Sequence, residues 1–443
     1  MSLKKSKYNI IVSAIENESW FIFNSLYGTS DILNIEEYQQ YESVQFNEDL
    51  VERGYLVDPD SEQKFFNSEY MNFIDDRDKD EVQIFYVPDY GCNFACDYCY
   101  QSEYSNLTGS ESQKVIDAFF EYVDNKFAGR KKYFTLFGGE PLLPSQKTKS
   151  IVDYFLKSAK SRNLDTAIVS NGFAINEYID ILKDSQIREV QITLDGMGKI
   201  HDQRRPLKGG GSTFEKVVGG IDLLIENRIS VNLRMVVDAQ NINDLPMLAR
   251  FAIDRGWTDS SFFKTQLGRN YDLHSCQVRQ NQLYSRIEMY REVAELIKRF
   301  PYILKFHTPS FHVLKLLATQ NELPAPVFDS CPGTKTEWAF DYTGKIYSCT
   351  ATVGKKGEEL GTFYPEITLD DETIEQWQDR DIIEIDKCRE CNVALVCGGG
   401  CASVAKNRDG TVNAPDCRPV EEIVKTGFSL YFDHDGNSKI LKD

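Results

Sequence analysis

The chain has no long apolar segment and a deficit of basic residues. No apolar run reaches the roughly 18 residues that a membrane-spanning helix requires, so we predict no membrane partner. Lysine and arginine number 50 against 68 aspartates and glutamates, which gives a net charge of −18. Such a surface repels phosphate backbones and argues against nucleic acid as a partner. The apolar stretch at residues 10–15 is too short for a signal peptide, so we expect a cytoplasmic protein.

Eleven cysteines are spread unevenly along the 443 residues. Three lie at positions 92–99, one is isolated at Cys276, and seven fall between Cys331 and Cys417. In a reducing compartment, tight C-x-x-C pairs favour bound metal over disulfide bonds. We therefore predict bound metal at both groups of cysteines.

Residues 1–80 are predicted to form a small separate module. Strands are predicted at residues 9–15 and 20–26, with a third at 31–34, followed by helices at 35–41 and 48–53. Gly54 is predicted to cap the second helix. The charged segment 75–81 is predicted to be a linker.

From residue 82 onward, strand-like and helix-like runs alternate, which predicts an α/β fold built from parallel βαβ units. Six units are too few for the complete eight-stranded barrel, so we predict a partial (β/α)6 barrel over residues 82–300. Ligands should bind at the carboxyl ends of its strands. The predicted strands are residues 82–88, 133–137, 167–170, 190–194, 231–237 and 262–266; the predicted helices are 111–128, 147–162, 176–184, 214–227, 243–255 and, leading out of the barrel, 280–299.

Residues 325–443 are predicted to form a third domain. Glycine, cysteine and turn residues are dense there, and helical periodicity is weak. A small domain of this composition needs covalent or metal cross-links to be stable, and metal clusters can supply them.

Cys92, Cys96 and Cys99 form a C-x3-C-x2-C run directly after the first predicted barrel strand. A [4Fe–4S] cluster normally takes four cysteines, so three would leave one iron open for a substrate or cofactor. A structural zinc site is the alternative, but such sites usually take four ligands and no fourth lies nearby. With Tyr98 before the last cysteine, the run resembles the signature of the radical S-adenosylmethionine (SAM) enzymes.

Glycines and polar residues follow the next three barrel strands, in the order that the resemblance requires. The resemblance implies that Glu140 and its neighbours bind the SAM amino group, that the third strand end meets the ribose, and that Arg205, in preference to Arg204, binds the SAM carboxylate. Ordinary turns and surface charges are the alternatives. The predicted cofactor-binding residues are Tyr98, Gly138, Gly139, Glu140, Pro141, Ser170, Asn171, Asp195 and Arg205.

The same resemblance, over roughly residues 82–270, implies the reaction. The open iron would chelate the SAM amino and carboxylate groups, and one electron from the reduced cluster would split the sulfonium bond. The resulting 5′-deoxyadenosyl radical would abstract a hydrogen atom from the substrate, while the protein positions the atoms and excludes water. An external one-electron reductant such as flavodoxin or ferredoxin is implied. No catalytic acid or base can be assigned from the sequence.

The seven C-terminal cysteines follow a fixed spacing: Cys331, Gly344-x4-Cys349, Cys388-x2-Cys391-x5-Cys397-x3-Cys401 and Cys417. This pattern resembles the seven-cysteine SPASM domain, which extends radical SAM enzymes that modify peptides. The resemblance implies two auxiliary [4Fe–4S] clusters, for a total of three. It assigns Cys331, Cys349 and Cys401 to the nearer cluster and the remaining four to the farther one: Cys388, Cys391, Cys397 and Cys417. The fourth position of the nearer cluster is left open, or is filled by a distant residue or by the substrate. We interpret Cys276 as a buried free thiol.

Residues 8–58 resemble the winged-helix peptide-recognition element of enzymes that modify ribosomally made peptides. Such a module binds a leader peptide as an additional strand at a sheet edge. One alternative is a packing extension of the barrel. A DNA-binding winged helix is poorly supported, because residues 32–56 contain many acidic residues and a single basic one, Arg53.

Three functional hypotheses follow. The leading one is a radical SAM/SPASM maturase that installs a thioether or carbon–carbon crosslink in a precursor peptide with a leader sequence. The second is a protein dehydrogenase that generates formylglycine, as sulfatase-maturing enzymes do. The third is a zinc-stabilised binding protein without catalysis.

Overall fold

A computed structural model describes residues 3–15, 19–101, 112–270, 282–433 and 436–440. The strands are β1 Lys4–Lys5, β2 Asn9–Ile15, β3 Ser19–Asn24, β4 Thr29–Leu33, β5 Leu56–Val57, β6 Val82–Val87, β7 Lys132–Leu136, β8 Thr166–Ser170, β9 Ile187–Thr193, β10 Val231–Val237, β11 Phe263–Arg269, β12 Glu337–Asp341, β13 Lys345–Tyr347, β14 Glu359–Thr362 and β15 Thr368–Leu369. The helices are α1 Ile35–Glu42, α2 Glu48–Glu52, α3 Pro59–Arg77, α4 Ser112–Lys126, α5 Gln146–Ser161, α6 Ile175–Lys183, α7 Gly198–Arg204, α8 Phe214–Glu226, α9 Leu245–Asp254, α10 Arg286–Arg299, α11 Ile303–Phe306, α12 Leu314–Gln320, α13 Asp371–Gln378, α14 Asp386–Arg389, α15 Ala394–Cys397, α16 Ala402–Asp409 and α17 Val420–Tyr431.

Strands β6 to β11 are six parallel neighbours in one sheet, in chain order. Alternate residues of each strand, such as Val82, Ile84 and Tyr86 on β6, are buried against the connecting helices. Within the described residues the sheet does not close, because β6 pairs with β12 and not with β11. This confirms the predicted α/β fold with a partial barrel.

The barrel elements lie close to their predicted bounds. Strand β10 has the predicted ends, while β11 continues three residues further than predicted, to Arg269. Helix α10 begins at Arg286, later than predicted, because Ser285 and Glu288 form a capping box that fixes its first turn. The predicted residues 280 and 281 of this helix lie outside the described part of the chain.

The C-terminal region continues the barrel sheet. Strand β12 pairs in parallel with β6, and β13, β14 and β15 follow as antiparallel neighbours. Helix α17, which was not predicted, has a buried apolar face that includes Ile423 and Phe428. Its Phe428 ring packs 4.8 Å from Phe21 on β3, so the first and last parts of the chain share one core.

The N-terminal residues form a three-stranded antiparallel sheet, β2-β3-β4, followed by α1 and α2. Helix α3 was not predicted, and it includes residues 75–77 of the predicted linker. Three of its rings, Phe66, Tyr70 and Phe73, pack 5.2 to 5.4 Å from Phe328. None of the described residues of α3 is buried. The helix has no continuous apolar face, and its sequence therefore shows only a weak helical period of apolar residues. No helix among the described residues is long and apolar enough to cross a membrane.

Candidate functional site

The first cysteine run lies in the loop that follows β6. Cys92, Cys96 and Cys99 are part-buried free thiols, and the Cys92 sulfur accepts the backbone N–H of Phe94 at 3.3 Å. Burial raises the pKa of Cys96 to about 12, and nearby Arg205 opposes this shift. A cationic partner favours thiolate, the form that binds metal.

The segment after α7 holds this loop in place. Ala95 donates its N–H to the carbonyl of Pro206 at 2.8 Å, and Lys208 donates its N–H to the carbonyl of Asn93 at 2.7 Å. The loop has no regular secondary structure, so these main-chain bonds fix its path across the barrel mouth.

Two glycines bring the end of β7 against this loop. A Cβ atom at Gly139, where φ is +44°, would lie 2.2 Å from the carbonyl oxygen of Gly91. At Gly138, where φ is +86°, it would lie 2.7 Å from a methyl carbon of Val87. Only glycine permits both the backbone conformation and the close approach.

Glu140 is buried at the centre of the predicted SAM site. Its Oε1 accepts bonds from Ser170 Oγ at 2.8 Å and from the N–H of Leu142 at 2.9 Å. Its Oε2 accepts the N–H of Asn171 at 2.6 Å. Burial raises the pKa of Glu140, and these bonds oppose the shift. Because each carboxylate oxygen has two lone pairs, Oε2 keeps one acceptor position for a ligand.

The other predicted residues of this half are already bonded within the protein. Ser170 donates its hydroxyl hydrogen to Glu140 and accepts the N–H of Gly172 at 3.0 Å, so its oxygen keeps one lone pair for a ribose hydroxyl. Asn171 donates its amide to Asn93 Oδ1 at 2.8 Å and thereby reaches the cluster loop. Pro141 is buried behind them.

Asp195, which follows β9, has no exposed surface. Its Oδ1 accepts the N–H of Val236 at 2.9 Å, and its Oδ2 accepts the hydroxyl of Tyr98 at 2.5 Å. The sequence predicts a direct cofactor contact from Asp195. In the structure each carboxylate oxygen accepts one protein donor, and Oδ2 positions the Tyr98 hydroxyl; the direct cofactor contact stays a prediction.

The structure separates the roles of the two candidate arginines. Arg204 donates from Nη1 to Asp238 Oδ1 at 2.9 Å and lies 3.6 Å from Asp195, so it has two carboxylate partners. Arg205 donates from Nη1 to the Tyr98 hydroxyl at 2.5 Å, and its buried Nε has no hydrogen-bond partner among the described residues. The buried Nε of Arg204 also has no hydrogen-bond partner among the described residues, so the two arginines differ in their charged partners: Arg204 faces two carboxylates, whereas Arg205 bonds the Tyr98 hydroxyl.

His201 and Asp238 belong to this network and were not predicted. The N–H of Asp195 donates to Nδ1 of the fully buried His201 at 3.2 Å. Burial and the charge of Arg205 lower the pKa of His201 to about 4, so its ring is neutral. Asp238 directly follows β10, and the rule that ligand-side residues follow barrel strands would have singled it out.

The C-terminal cysteines form two groups. Cys331, Cys349 and Cys401 lie together. Burial is the largest cause of a raised pKa at Cys349, and the negative charges of Glu337 and Cys331 raise that pKa further. These are the three thiols that the sequence assigns to the nearer auxiliary cluster.

The second group contains the other four thiols. Burial raises the pKa of Cys388 to about 11, and its thiol neighbours Cys397, Cys391 and Cys417 contribute in that order. Among the described residues, no three Cys, His, Asp or Glu side chains are arranged to bind a single metal ion. Thiolates on one [4Fe–4S] cluster bind separate irons, so their sulfur atoms do not meet at one ion. Cys276 lies outside the described part of the chain.

Arg380 is fully buried between the loops that carry the last three cysteines. It donates to the carbonyls of Val412 at 2.6 Å, Gly399 at 2.8 Å and Ala414 at 3.3 Å. Its fourth bond, at 3.2 Å, joins Asp329, which also pairs with Lys335 at 2.5 Å. The guanidinium therefore satisfies carbonyls that would otherwise be buried without partners.

Residues 86–252 match the family model of the radical SAM superfamily, so the chain contains a radical SAM domain. The serine-type anaerobic sulfatase-maturating enzyme of Bacteroides thetaiotaomicron is 31% identical over 157 residues, which are 34% of this chain and 38% of that relative's length. The match therefore spans less than half of that relative.

Two sets of solved structures share the fold. Native anSMEcpe with bound AdoMet has a TM-score of 0.61 at 17% identity, over 79% of this chain and 98% of that chain. Streptococcus suis SuiB bound to S-adenosylmethionine has a TM-score of 0.55 at 15% identity, over 94% and 99%. SuiB bound to precursor peptide SuiA has a TM-score of 0.53 at 13% identity, over 95% of this chain and 99% of that one.

The described residues suit a [4Fe–4S] cluster and SAM. Three free thiols lie in one loop at the barrel mouth, near two groups that can still form hydrogen bonds with a ligand. One is the remaining acceptor position on Glu140 Oε2, and the other is the donor at Arg205 Nε. These would match the ammonium and carboxylate of a bound amino acid group.

Proposed function

We propose that the protein is a radical SAM peptide maturase that installs a thioether or carbon–carbon crosslink in a ribosomally made precursor peptide. The observation that supports this most strongly is the cluster loop, in which three thiols lie between the Glu140 network and the Tyr98–Arg205 pair. Cys92, Cys96 and Cys99 would hold a [4Fe–4S] cluster, which with SAM would supply the radical chemistry that removes a hydrogen atom from the substrate.

In this proposal the chain's own residues orient SAM. Glu140 accepts a hydrogen from the SAM ammonium, and Arg205 donates to the SAM carboxylate. Tyr98, held by Asp195 at 2.5 Å, fixes the Arg205 guanidinium from the side. Gly138 and Gly139 allow the cofactor to approach the backbone. The apolar core between the barrel strands and their helices holds the strand ends in fixed positions, and therefore holds Glu140 and Arg205 in position for the cofactor.

We further propose that residues 1–80 bind the leader of the precursor peptide. In the sheet β2-β3-β4, strand β4 is an edge strand: among the described strands it pairs with β3 alone. An extended peptide can add to such an edge through main-chain hydrogen bonds. The similarity to SuiB, which has been solved with a precursor peptide, extends over 94% of this chain, against 79% for anSMEcpe.

The C-terminal residues 325–443 are proposed to be a SPASM domain with two auxiliary clusters. Cys331, Cys349 and Cys401 would hold the nearer one, and the four thiols around Cys388 the farther one. Their role would be to accept the second electron of the oxidation or to bind substrate. The external one-electron donor would be a flavodoxin or ferredoxin.

A second candidate is a formylglycine-generating protein dehydrogenase. It is favoured by the 31% identity to a sulfatase-maturating enzyme. The two candidates differ in their need for a leader-binding module, which the first uses and the second does not.

The test is the accurate mass of a short peptide encoded beside this gene. The peptide is incubated anaerobically with the iron-loaded enzyme, SAM and a reductant. Loss of two hydrogens with a crosslink in the fragment spectrum supports the proposal. Loss of two hydrogens at a single Ser identifies formylglycine chemistry, as does, at a single Cys, the loss of two hydrogens together with exchange of the sulfur for a water oxygen and release of H2S. A mass that is unchanged after reaction in ordinary water, but that increases by one deuterium after reaction in heavy water, identifies epimerisation.

A colourless protein that contains zinc and no iron after anaerobic purification would overturn every radical mechanism. It would support the zinc-stabilised binding protein instead. Iron and zinc analysis of the purified protein therefore precedes the mass measurement.

A further inference from the structure

A cavity of about 600 Å³ lies between the barrel and the C-terminal cysteine region. Gly268 belongs to its barrel wall, and Cys401, one of the proposed cluster ligands, belongs to the opposite wall. The cavity is lined by four arginines, Arg234, Arg269, Arg286 and Arg418. Among the described residues that line it, Asp416 is the single acid, so these side chains carry a net charge of +3. The chain as a whole carries −18, so the cavity reverses the local sign of charge.

The arginines come from both walls. Arg234 and Arg269 lie on β10 and β11, while Arg286 begins α10 and Arg418 follows Cys417. Like charges on facing walls of a concave site add their potentials in the space between them and attract anions there. Guanidinium groups also bind carboxylates through two parallel hydrogen bonds, which gives direction as well as attraction.

Arg234 is placed for a ligand and not for packing. Its neighbours Leu233 and Met235 are buried against the helices, so Arg234 faces the opposite side of the sheet, toward the barrel interior. A Cβ atom at Gly268 would lie 3.0 Å from both Nε and Nη2 of Arg234. The absent side chain at Gly268 therefore leaves room for the guanidinium to cross β11.

Donors on both walls lack acceptors. The Nε atoms of Arg234 and Arg418 are buried and have no hydrogen-bond partner among the described residues. Arg286 is partly neutralised, because its Nη2 lies 3.5 Å from Asp416. A buried donor without an acceptor is destabilising, and an anion that enters the cavity would remove that cost.

Asn270, the neighbour of the lining residue Arg269, is linked to the proposed SAM site through hydrogen bonds. Asn270, which follows β11, donates to Asp238 at 2.9 Å, and Asp238 accepts from Arg204. Arg204 in turn lies 3.6 Å from Asp195, which holds Tyr98. A group bound between the four arginines would therefore lie on the same side of the barrel as the cluster loop.

We infer that this cavity binds a carboxylate of the peptide substrate, from an aspartate or glutamate side chain beside the residue that is modified. The inference rests on the proposed function, because it assigns a chemical class to the substrate of that same site. It predicts that peptides with acidic residues in the modified segment are selected over neutral and basic ones.

The test uses three fluorescent, N-acetylated pentapeptides and the iron-loaded protein under anaerobic conditions. The first is Gly-Glu-Gly-Glu-Gly with an amidated C-terminus, the second replaces both glutamates by glutamine, and the third is the glutamine peptide with a free C-terminal carboxylate. We expect the glutamate peptide to bind with a Kd below about 1 mM and about tenfold more tightly than its amidated glutamine analogue. Preference for the third peptide over the first would assign the cavity to a C-terminal carboxylate and overturn the side-chain assignment.

Variants locate the binding. Arg234→Gln should remove the preference for glutamate, and Gly268→Ala should weaken it, because the added methyl group displaces the Arg234 guanidinium. Arg162→Gln is the matched control, since this arginine lies outside the cavity in an exposed ion pair with Asp124. It should leave both peptide affinities unchanged.

Equal affinities for the glutamate and glutamine peptides, or a Kd above about 1 mM for the first, would overturn the inference. So would an Arg234→Gln variant that loses SAM affinity but keeps its preference for glutamate, because Arg234 would then serve the cofactor. Formation of 5′-deoxyadenosine by the wild-type protein is measured in parallel. Its absence sinks the proposed function, whereas normal formation without acidic selectivity sinks this inference alone.

Discussion

Glu140 accepts the backbone N–H of Asn171 at 2.6 Å and thereby ties the end of β7 to the end of β8. The same carboxylate accepts Ser170 Oγ and the N–H of Leu142. One buried side chain thus fixes two strand ends at the barrel mouth, and it still keeps one acceptor position for a ligand.

Glu140→Gln should therefore destabilise the fold and weaken SAM binding together. The glutamine can turn its oxygen toward Ser170 and Leu142, but its NH2 group then faces the N–H of Asn171. Two facing donors in a buried site cost about 1–3 kcal/mol of unfolding free energy. Urea unfolding and SAM titration measure the two effects.

Glu177→Gln is the control for Glu140→Gln. Glu177 forms a partly exposed ion pair with Lys149 at 3.0 Å, and loss of such a pair costs about 0.5 kcal/mol or less. Equal losses of unfolding free energy in the two variants would show that the buried hydrogen bonds of Glu140 stabilise the fold no more than an exposed ion pair does.

Gly139→Ala should disrupt the cluster loop. The alanine methyl would need the space occupied by the Gly91 carbonyl oxygen, directly before Cys92. We expect loss of iron from the first cluster in addition to the roughly 1–2 kcal/mol that a left-handed backbone costs an alanine. Iron analysis and urea unfolding check this outcome.

Gly129→Ala separates steric conflict from backbone strain. Gly129 also has a positive φ, +74°, but no other atom lies within 4 Å of the position that a Cβ atom would take there. This variant should show only the strain cost and a full complement of iron. Iron loss in both variants would contradict the steric explanation.

Cys96→Ala should abolish SAM cleavage while the auxiliary clusters remain. With two thiolates the first cluster cannot be held, so iron should fall from about twelve to about eight atoms per chain. Cys276→Ala, which removes a thiol outside the three proposed sets, should keep both SAM cleavage and the full iron content. Retained formation of 5′-deoxyadenosine by Cys96→Ala would disprove the assignment.

His201 should make stability depend on pH. Its pKa is about 4 in the folded protein and about 6.5 when unfolded, so the unfolded chain binds more protons between these values. The free energy of unfolding should therefore fall as the pH drops below 6.5. From pH 7 to pH 5 the contribution of His201 is about 2 kcal/mol.

Urea unfolding of the wild type and of His201→Asn at both pH values isolates this contribution. Asparagine can keep an acceptor for the N–H of Asp195 but does not titrate, so other groups cancel in the comparison. An identical pH dependence in the two proteins would mean that His201 has the same pKa in the folded and unfolded states, which would contradict this prediction.

The sequence was sufficient to predict the barrel elements because their signal is local. Strand β10 has the predicted bounds, since its alternating residues Val231, Leu233, Met235 and Val237 are all buried on the helix side. Helix α3 was missed because its apolar residues are spread around a helix rich in charged and amide side chains, which gives a weak apolar period. The pairing of β12 with β6 joins distant parts of the chain and has no local signal.

The candidate site shows the same division. The cysteine spacing placed three thiols in one loop, and Arg205 was favoured over Arg204, in keeping with its bond to the Tyr98 hydroxyl where Arg204 bonds a carboxylate. The bond between Asp195 and the Tyr98 hydroxyl could not be derived, because it joins two residues that are 97 positions apart in the sequence. His201 was missed because its partner is a backbone N–H.

The pairing of β12 with β6 also governs how the chain reaches its native state. Strand β6, Val-Gln-Ile-Phe-Tyr-Val, is one of the first barrel segments to leave the ribosome, yet its second neighbour is residues 337–341. Until those residues are synthesised, an apolar strand free of proline and glycine has an open edge, which is the kind of segment that aggregates. Nascent chains that stop before β12 are therefore the species most in need of a chaperone.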